Sequence, residues 1–179
     1  MATFTSVING NWNDGATWGN ASPGTKGVDW PGNAGDVVNI GHTVTYNVSE
    51  ANQLGQININ AGGLLTFSAS MNTMLTLGHQ DIVINNGGEL RVGASGAVID
   101  KSCLAELIWN TTSDNAKGID VKAGGKLTIY DDPSYFGSDF DTAGRQYFHA
   151  RLGLGGYYRG GEFHQQMGQY RGGAATAGA

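Results

Sequence analysis

Three copies of one short pattern constrain this chain more than any other feature. Ile57-Asn58-Ile59, Gly62-Gly63, Leu65-Thr66-Phe67 recurs as Ile82-Val83-Ile84, Gly87-Gly88, Leu90-Arg91-Val92, and again as Ile119-Asp120-Val121, Gly124-Gly125, Leu127-Thr128-Ile129, with identical internal offsets. The glycine pairs are 25 and then 37 residues apart, the second interval being one period plus twelve inserted residues. Within each copy apolar and polar residues alternate, which is the period of a strand. Ile57 and Ile59 therefore face one way, and Asn58 and Asn60 the other. A Gly-Gly pair between two short strands supplies positive φ and turns the chain without a Cβ clash. Val38 to Tyr46 has the same rhythm with a shorter corner at Gly41-His42, and Leu75-Thr76-Leu77 adds a strand between copies.

A unit of roughly 20–25 residues made of strands and corners cannot bury its apolar side alone, so successive units must stack. The expected fold is all-β: a short right-handed parallel β-helix in which Ile57, Ile82 and Ile119, and likewise Leu65, Leu90 and Leu127, form inward stacks. A sandwich or jelly roll, with alternating strands at similar spacing, is the competing arrangement. No stretch reads as a long amphipathic helix, although Lys101 to Trp109 is open to one or two helical turns. The pattern divides the chain into an N-terminal cap (1–35), a β-helix core (36–130) and a C-terminal arm (131–179).

A solenoid has open ends that must be covered. Trp12, Trp18 and Trp30 lie among Gly, Asn and Asp in the first 30 residues, and are expected to form an aromatic cap in preference to a sugar-stacking platform. Beyond Asp131 the rhythm is lost at Asp132-Pro133. Residues 1–144 hold six Lys/Arg against fourteen Asp/Glu, whereas 145–179 hold four Arg and one Glu within a net charge of −5. Opposite signs steer such an arm toward the body of a neighbour. Arg145, Arg151, Tyr157, Tyr158, Arg159, Phe163, Tyr170 and Arg171 are the expected interface residues, because Tyr and Arg anchor desolvated contacts. Four spread arginines are too few for phosphate recognition, so no nucleic acid is expected.

Composition narrows the classes further. Hydrophobic residues at 40% suffice for a core, and charged residues at 14% exclude disorder driven by charge. No run of about 18 apolar residues occurs, so a soluble chain with no transmembrane helix is expected. The first residues show no secretory leader, which implies synthesis in the cytoplasm. A single cysteine, Cys103, excludes an internal disulfide framework and a cysteine-cluster metal site.

Catalysis on a β-helix uses clustered carboxylates or a calcium-bound acid. Asp131, Asp132, Asp139 and Asp141 are the candidates, but their spacing does not match a calcium loop. His42, His79, His149 and His164 lack metal-ligand spacing. His42 is expected to pack or to hydrogen-bond the next turn, and Cys103 to behave as a small buried hydrophobe. Gly153-Leu154-Gly155-Gly156 lacks the Lys-Ser/Thr of a phosphate loop. The expectation is a non-enzyme with no cofactor and no metal.

Asn11-Trp12-Asn13-Asp14-Gly15-Ala16-Thr17-Trp18, then Trp30-Pro31-Gly32, then Gly35-Asp36-Val37-Val38-Asn39-Ile40-Gly41-His42-Thr43-Val44 resembles the opening of the eight-glycine extracellular domain family. It is also similar to related β-helical segments of bacterial surface and phage structural proteins. The resemblance covers roughly residues 9–130 and implies the fold more than an activity. A short chain with a Gly/Ala-rich end resembles phage virion proteins more than secreted members. The expected function is a capsid-decorating (cement) protein in the virion, a homo-oligomer such as a trimer bound to a shell or tail structural protein. The alternatives are a tail or fibre component and, at an extracellular surface, a carbohydrate-binding module with a glycan partner. A polysaccharide-degrading enzyme ranks third.

Overall fold

The computed structural model describes residues 1–94, 97, 99–100, 102–109, 117–130, 150–152, 156–159 and 162–166. Apart from one 3₁₀ turn, Gly15–Trp18, the regular elements among them are strands. Numbered in chain order, they form three sheets. The first runs β1 (Thr3–Thr5), β3 (Val37–Ile40), β6 (Ile57–Ile59), β9 (Ile82–Ile84), β12 (Lys117–Val121) and β15 (Gly156–Arg159). The second runs β2 (Gly10–Asn11), β4 (Thr43–Tyr46), β7 (Leu64–Phe67), β10 (Glu89–Val92), β13 (Lys126–Tyr130) and β16 (Glu162–Gln166). The third holds β5 (Ser49–Leu54), β8 (Thr73–Leu77), β11 (Ala105–Trp109) and β14 (Ala150–Leu152).

Every ladder between these strands is parallel, and the register aligns the repeat copies position for position. Val38 lies opposite Ile57, which lies opposite Ile82, which lies opposite Ile119. In the second sheet Val44, Leu65, Leu90 and Leu127 align in the same way. All eight are buried. Because strand side chains alternate between faces, aligning these residues places the whole apolar set on one side of each sheet, where it forms one continuous core. The antiparallel hairpins of a sandwich do not describe this pairing.

The glycine pairs do two different jobs. The first glycine of each pair has positive φ, +78° at Gly62, +76° at Gly87 and +79° at Gly124. It occupies the third position of a four-residue turn closed by Gly63 N–H to Asn60 O (2.8 Å), Gly88 N–H to Asn85 O (2.9 Å) and Gly125 N–H to Lys122 O (2.9 Å), the geometry of a type II turn. The second glycine has an ordinary φ but no space: a Cβ on Gly88 would sit 2.5 Å from the Ile59 carbonyl oxygen, and one on Gly125 2.6 Å from that of Ile84. The expectation that both glycines supply positive φ is thus corrected, since close approach of the preceding rung requires the second. Gly87→Ala is expected to cost about 1–2 kcal/mol from the left-handed backbone. Gly88→Ala should cost more, about 2–3 kcal/mol, because the clashing atom is backbone. Equal losses in urea titrations of the two variants would contradict this division.

Two further expectations change. Ala105 to Trp109 is a strand and not a helical turn: Ala105, Leu107 and Trp109 are buried, while Glu106 and Ile108 between them are partly exposed. By register, seven of the twelve inserted residues precede this strand and five lie between it and Ile119. The C-terminal segment also departs from the arm reading. β14, β15 and β16 pair in parallel with β11, β12 and β13, one strand on each sheet. Parallel pairing is made by backbone N–H and C=O groups, so a segment whose apolar alternation has faded still adds to a sheet, its aromatic residues favour extended backbone, and in sequence Gly160-Gly161 stands directly before β16 as Gly124-Gly125 stands before β13.

Candidate functional site

Both ends of the sheets expose strand edges, and the N-terminal end is closed by the chain itself. Next to β1, the Val7 N–H donates to the Thr17 carbonyl at 2.9 Å. Beside β2, the Thr17 hydroxyl donates to the Asn11 carbonyl at 2.8 Å, and the Trp18 indole N–H to the Trp12 carbonyl at 2.8 Å. Along β5, the Gly35 N–H donates to Gln53 O at 2.9 Å and the Asn52 side chain to Gly32 O at 2.7 Å. Residues 12–35 therefore bond along the outer sides of β2 and β5 and just beyond the end of β1, which blunts this end as a template for strand addition.

Aromatic packing ties this cap to the core. Phe4 meets Trp18 at 6.2 Å between ring centroids, Trp18 meets Trp12 at 5.3 Å, and Trp12 meets Tyr46 at 4.9 Å, all edge-to-face, with Tyr46 tilted against Phe67 at 5.5 Å. Trp12 is 1% and Trp18 5% exposed. A sugar-stacking ring must offer one face to water, and these two offer none. Trp30 is partly buried against the same core. Burial pushes the Tyr46 hydroxyl far above the usual phenol range, with the charge of Glu50 adding to it. It stays protonated and donates to the Met74 carbonyl at 2.8 Å.

Asp36 and His42 are the polar fasteners of the cap. Fully buried Asp36 accepts from the N–H of Ala2 at 2.9 Å, Asn33 at 2.8 Å and Gly32 at 3.2 Å. It joins the N-terminus to the 31–36 turn. Asp36→Ala leaves these donors without their acceptor and should cost about 2–3 kcal/mol, while Asp36→Asn, which keeps one carbonyl oxygen, should cost less. Equal stability of Asp36→Ala and the parent in a thermal melt would remove this role. His42 Nδ1 lies 2.9 Å from the Ser6 carbonyl, and Ser6 Oγ accepts from Gly41 N–H at 2.9 Å. His42 thus binds the preceding N-terminal segment and not the next turn. The sequence reading assigned Asp36 no role; its signal was an acid flanked by Gly35 and two valines, a place where a charge needs backbone donors.

Outward-facing polar residues bond from rung to rung. Asn58 Nδ2 donates to Asn39 Oδ1 at 3.0 Å, Asn85 Nδ2 to Asn60 Oδ1 at 3.0 Å, and Asn47 Nδ2 to Asn13 Oδ1 at 2.8 Å. Where the third repeat copy replaces asparagine by Lys122, its ammonium pairs with Asp120 at 2.8 Å. Arg91 forms a two-pronged pair with Glu89, at 2.9 and 2.8 Å. Partial burial works against the Glu89 carboxylate, but the Arg91 fork, with Thr128 and Lys126, outweighs it and holds the group below its usual range.

Among the described residues no three His, Cys, Asp or Glu side chains group as a metal site, and no helix is long and apolar enough to cross a membrane. Cys103 is half-buried against the core, and His79 is exposed at the corner before β9. Asp131, Asp132, Asp139, Asp141, Arg145, His149, Tyr170 and Arg171 lie outside the described residues. Arg151 is on β14, Tyr157, Tyr158 and Arg159 on β15, and Phe163 and His164 on β16. These three strands end their sheets, and among the described residues no strand pairs with their outer edges.

No curated protein and no solved structure matches the chain. The model of the G8 domain, the eight-glycine extracellular domain, matches residues 17–135, which take in the end of the cap, the three glycine-pair copies and most of the strands around them. The chain belongs to the G8 domain family.

Proposed function

We propose that the three parallel sheets are the three faces of one right-handed β-helical coil, and that this coil is a non-catalytic assembly module attached by its C-terminal end. The coil is supported by the pairing of each strand with the one that follows a full repeat later, in all three sheets. The hand follows from the strong preference of parallel crossover connections for right-handedness. The assembly reading is carried by the difference between the ends: the cap bonds along β2 and β5 and beside the end of β1, whereas among the described residues no strand pairs with the outer edges of β14, β15 and β16. Uncovered edges template pairing with another chain. The setting proposed for such a module is a phage virion, as a capsid-decorating protein on a shell protein.

The test is reconstitution. Particles stripped of this chain should regain it at full occupancy when the purified protein is added, and removal of residues 145–179 should abolish that uptake while the cap and core still melt cooperatively. Uptake that survives the truncation, or a full-length chain that stays monomeric and does not co-sediment with particles, would refute the reading.

A further inference from the structure

The register of the C-terminal rung sets opposite charges across from each other once in every sheet. In the third sheet Arg151 on β14 lies opposite Glu106 on β11, in the first Arg159 on β15 lies opposite Asp120 on β12, and in the second Glu162 on β16 lies opposite Lys126 on β13. Arg151, Arg159 and Glu162 are all the Asp, Glu, Lys and Arg residues that β14, β15 and β16 contain. The other ladders among the described residues join two such residues once, at Glu89 and Lys126. Beside each charged position stands an aliphatic or aromatic one that continues a buried column: Leu152 opposite Leu107, Tyr158 opposite Ile119 and Phe163 opposite Leu127.

On the body side of this junction Leu107, Ile119 and Leu127 are buried, whereas Glu106 and Asp120 are partly exposed and Lys126 is exposed. Toward the preceding rung Glu106 meets Met74 and Asp120 meets Val83, so across the ladders these two acids find an opposite charge only on the last rung. Asp120 also pairs with Lys122 at 2.8 Å within its own rung, and Lys126 stands between Glu89 and Glu162. Opposite charges directly across a ladder stabilise it and like charges oppose it, so a slip of one residue separates all three pairs at once. Charge pairs open to water are screened by salt, and apolar columns are not. A rung carrying one such pair in each sheet is therefore held in part by an attraction that ionic strength can weaken.

We infer that the edge formed by β11, β12 and β13 is a charge-coded docking edge for the C-terminal rung, and that ionic strength governs how firmly the rung is attached. This concerns the hold of the rung on its own body and stands independently of attachment to a particle. The full chain is followed by amide hydrogen exchange at about 10 mM and about 1 M NaCl, between which the screening length falls from about 30 Å to about 3 Å. Protection of the β14, β15 and β16 amides is expected to drop about tenfold, the combined worth of three exposed pairs, while that of β3, β6 and β9 stays unchanged. Glu106→Lys should lower protection of the rung about fivefold at low salt, and adding Arg151→Glu should restore it. At high salt both variants should exchange like the parent. The inference is overturned if protection of the rung is the same at both salt concentrations, is absent at low salt, or falls in step with that of β3, β6 and β9. A Glu106→Lys variant that exchanges like the parent at low salt, or whose loss Arg151→Glu does not repair, overturns it equally.

Discussion

Replacing Trp12 with Ala is expected to lower the unfolding free energy by about 3–5 kcal/mol, the cost of deleting a fully buried large aromatic. Three losses coincide. The ring is 1% exposed, so its apolar area leaves the core and a cavity remains. Its edge-to-face contacts with Trp18 and Tyr46 disappear, each worth about 0.5–1.5 kcal/mol beyond area. The Pro31 carbonyl also loses the indole N–H that reaches it at 3.0 Å. Trp30→Ala, at a half-buried ring, should cost clearly less. Urea unfolding followed by far-ultraviolet circular dichroism checks both. A Trp12→Ala loss below about 1 kcal/mol, the range of ordinary surface changes, would mean that the ring does not hold the cap. Uncovering the edges should in addition make the variant self-associate on dilution from urea, which light scattering detects.

Leu90→Ala tests the stack at the middle of the core. Leu90 is fully buried between Leu65 on one side and Leu127 on the other. Both neighbours are held in register by backbone bonds, so the hole cannot easily collapse, and the expected loss is about 2–5 kcal/mol toward the upper part of that range. Arg91→Ala, one position along on the outward face, removes an ion pair that is partly open to solvent and should cost about 1 kcal/mol at most. A larger effect at Arg91 than at Leu90 would reverse the assignment of inner and outer faces.

The local period made much of this readable from residues alone. Alternation assigned Ile57, Ile59, Leu65, Ile82, Leu90 and Leu127 to the buried side because a strand turns its side chains through two faces whatever its neighbours are. The equal offsets around Gly62, Gly87 and Gly124 implied that copies align, and they do. At Lys101 to Trp109, read as open to helical turns, Ala105–Trp109 is instead a strand, with Leu107 and Trp109 buried and Glu106 partly exposed. The match of the G8 domain over 17–135 follows the same features.

The remainder depended on atoms far away along the chain. Gly88 looks like Gly87 in sequence, but its requirement comes from the Ile59 carbonyl oxygen one rung earlier. Asp36 is an unremarked acid until Ala2, 34 residues before it, donates to its carboxylate. The asparagines at 39 and 58, or 60 and 85, are ordinary polar positions until parallel register brings their amides to 3.0 Å. Pairing of β14 and β15 is made by backbone groups, which a search for side-chain rhythm does not register, whereas β16 carries a signal, Gly160-Gly161 standing before it as Gly124-Gly125 stands before β13. By itself the sequence determined which residues of the repeat copies lie on strands and which side of those strands is apolar, since both follow from torsional preference and a two-residue period. Only the tertiary structure decided which distant rung each residue meets, because that depends on register, and register is set by all the stacked strands together.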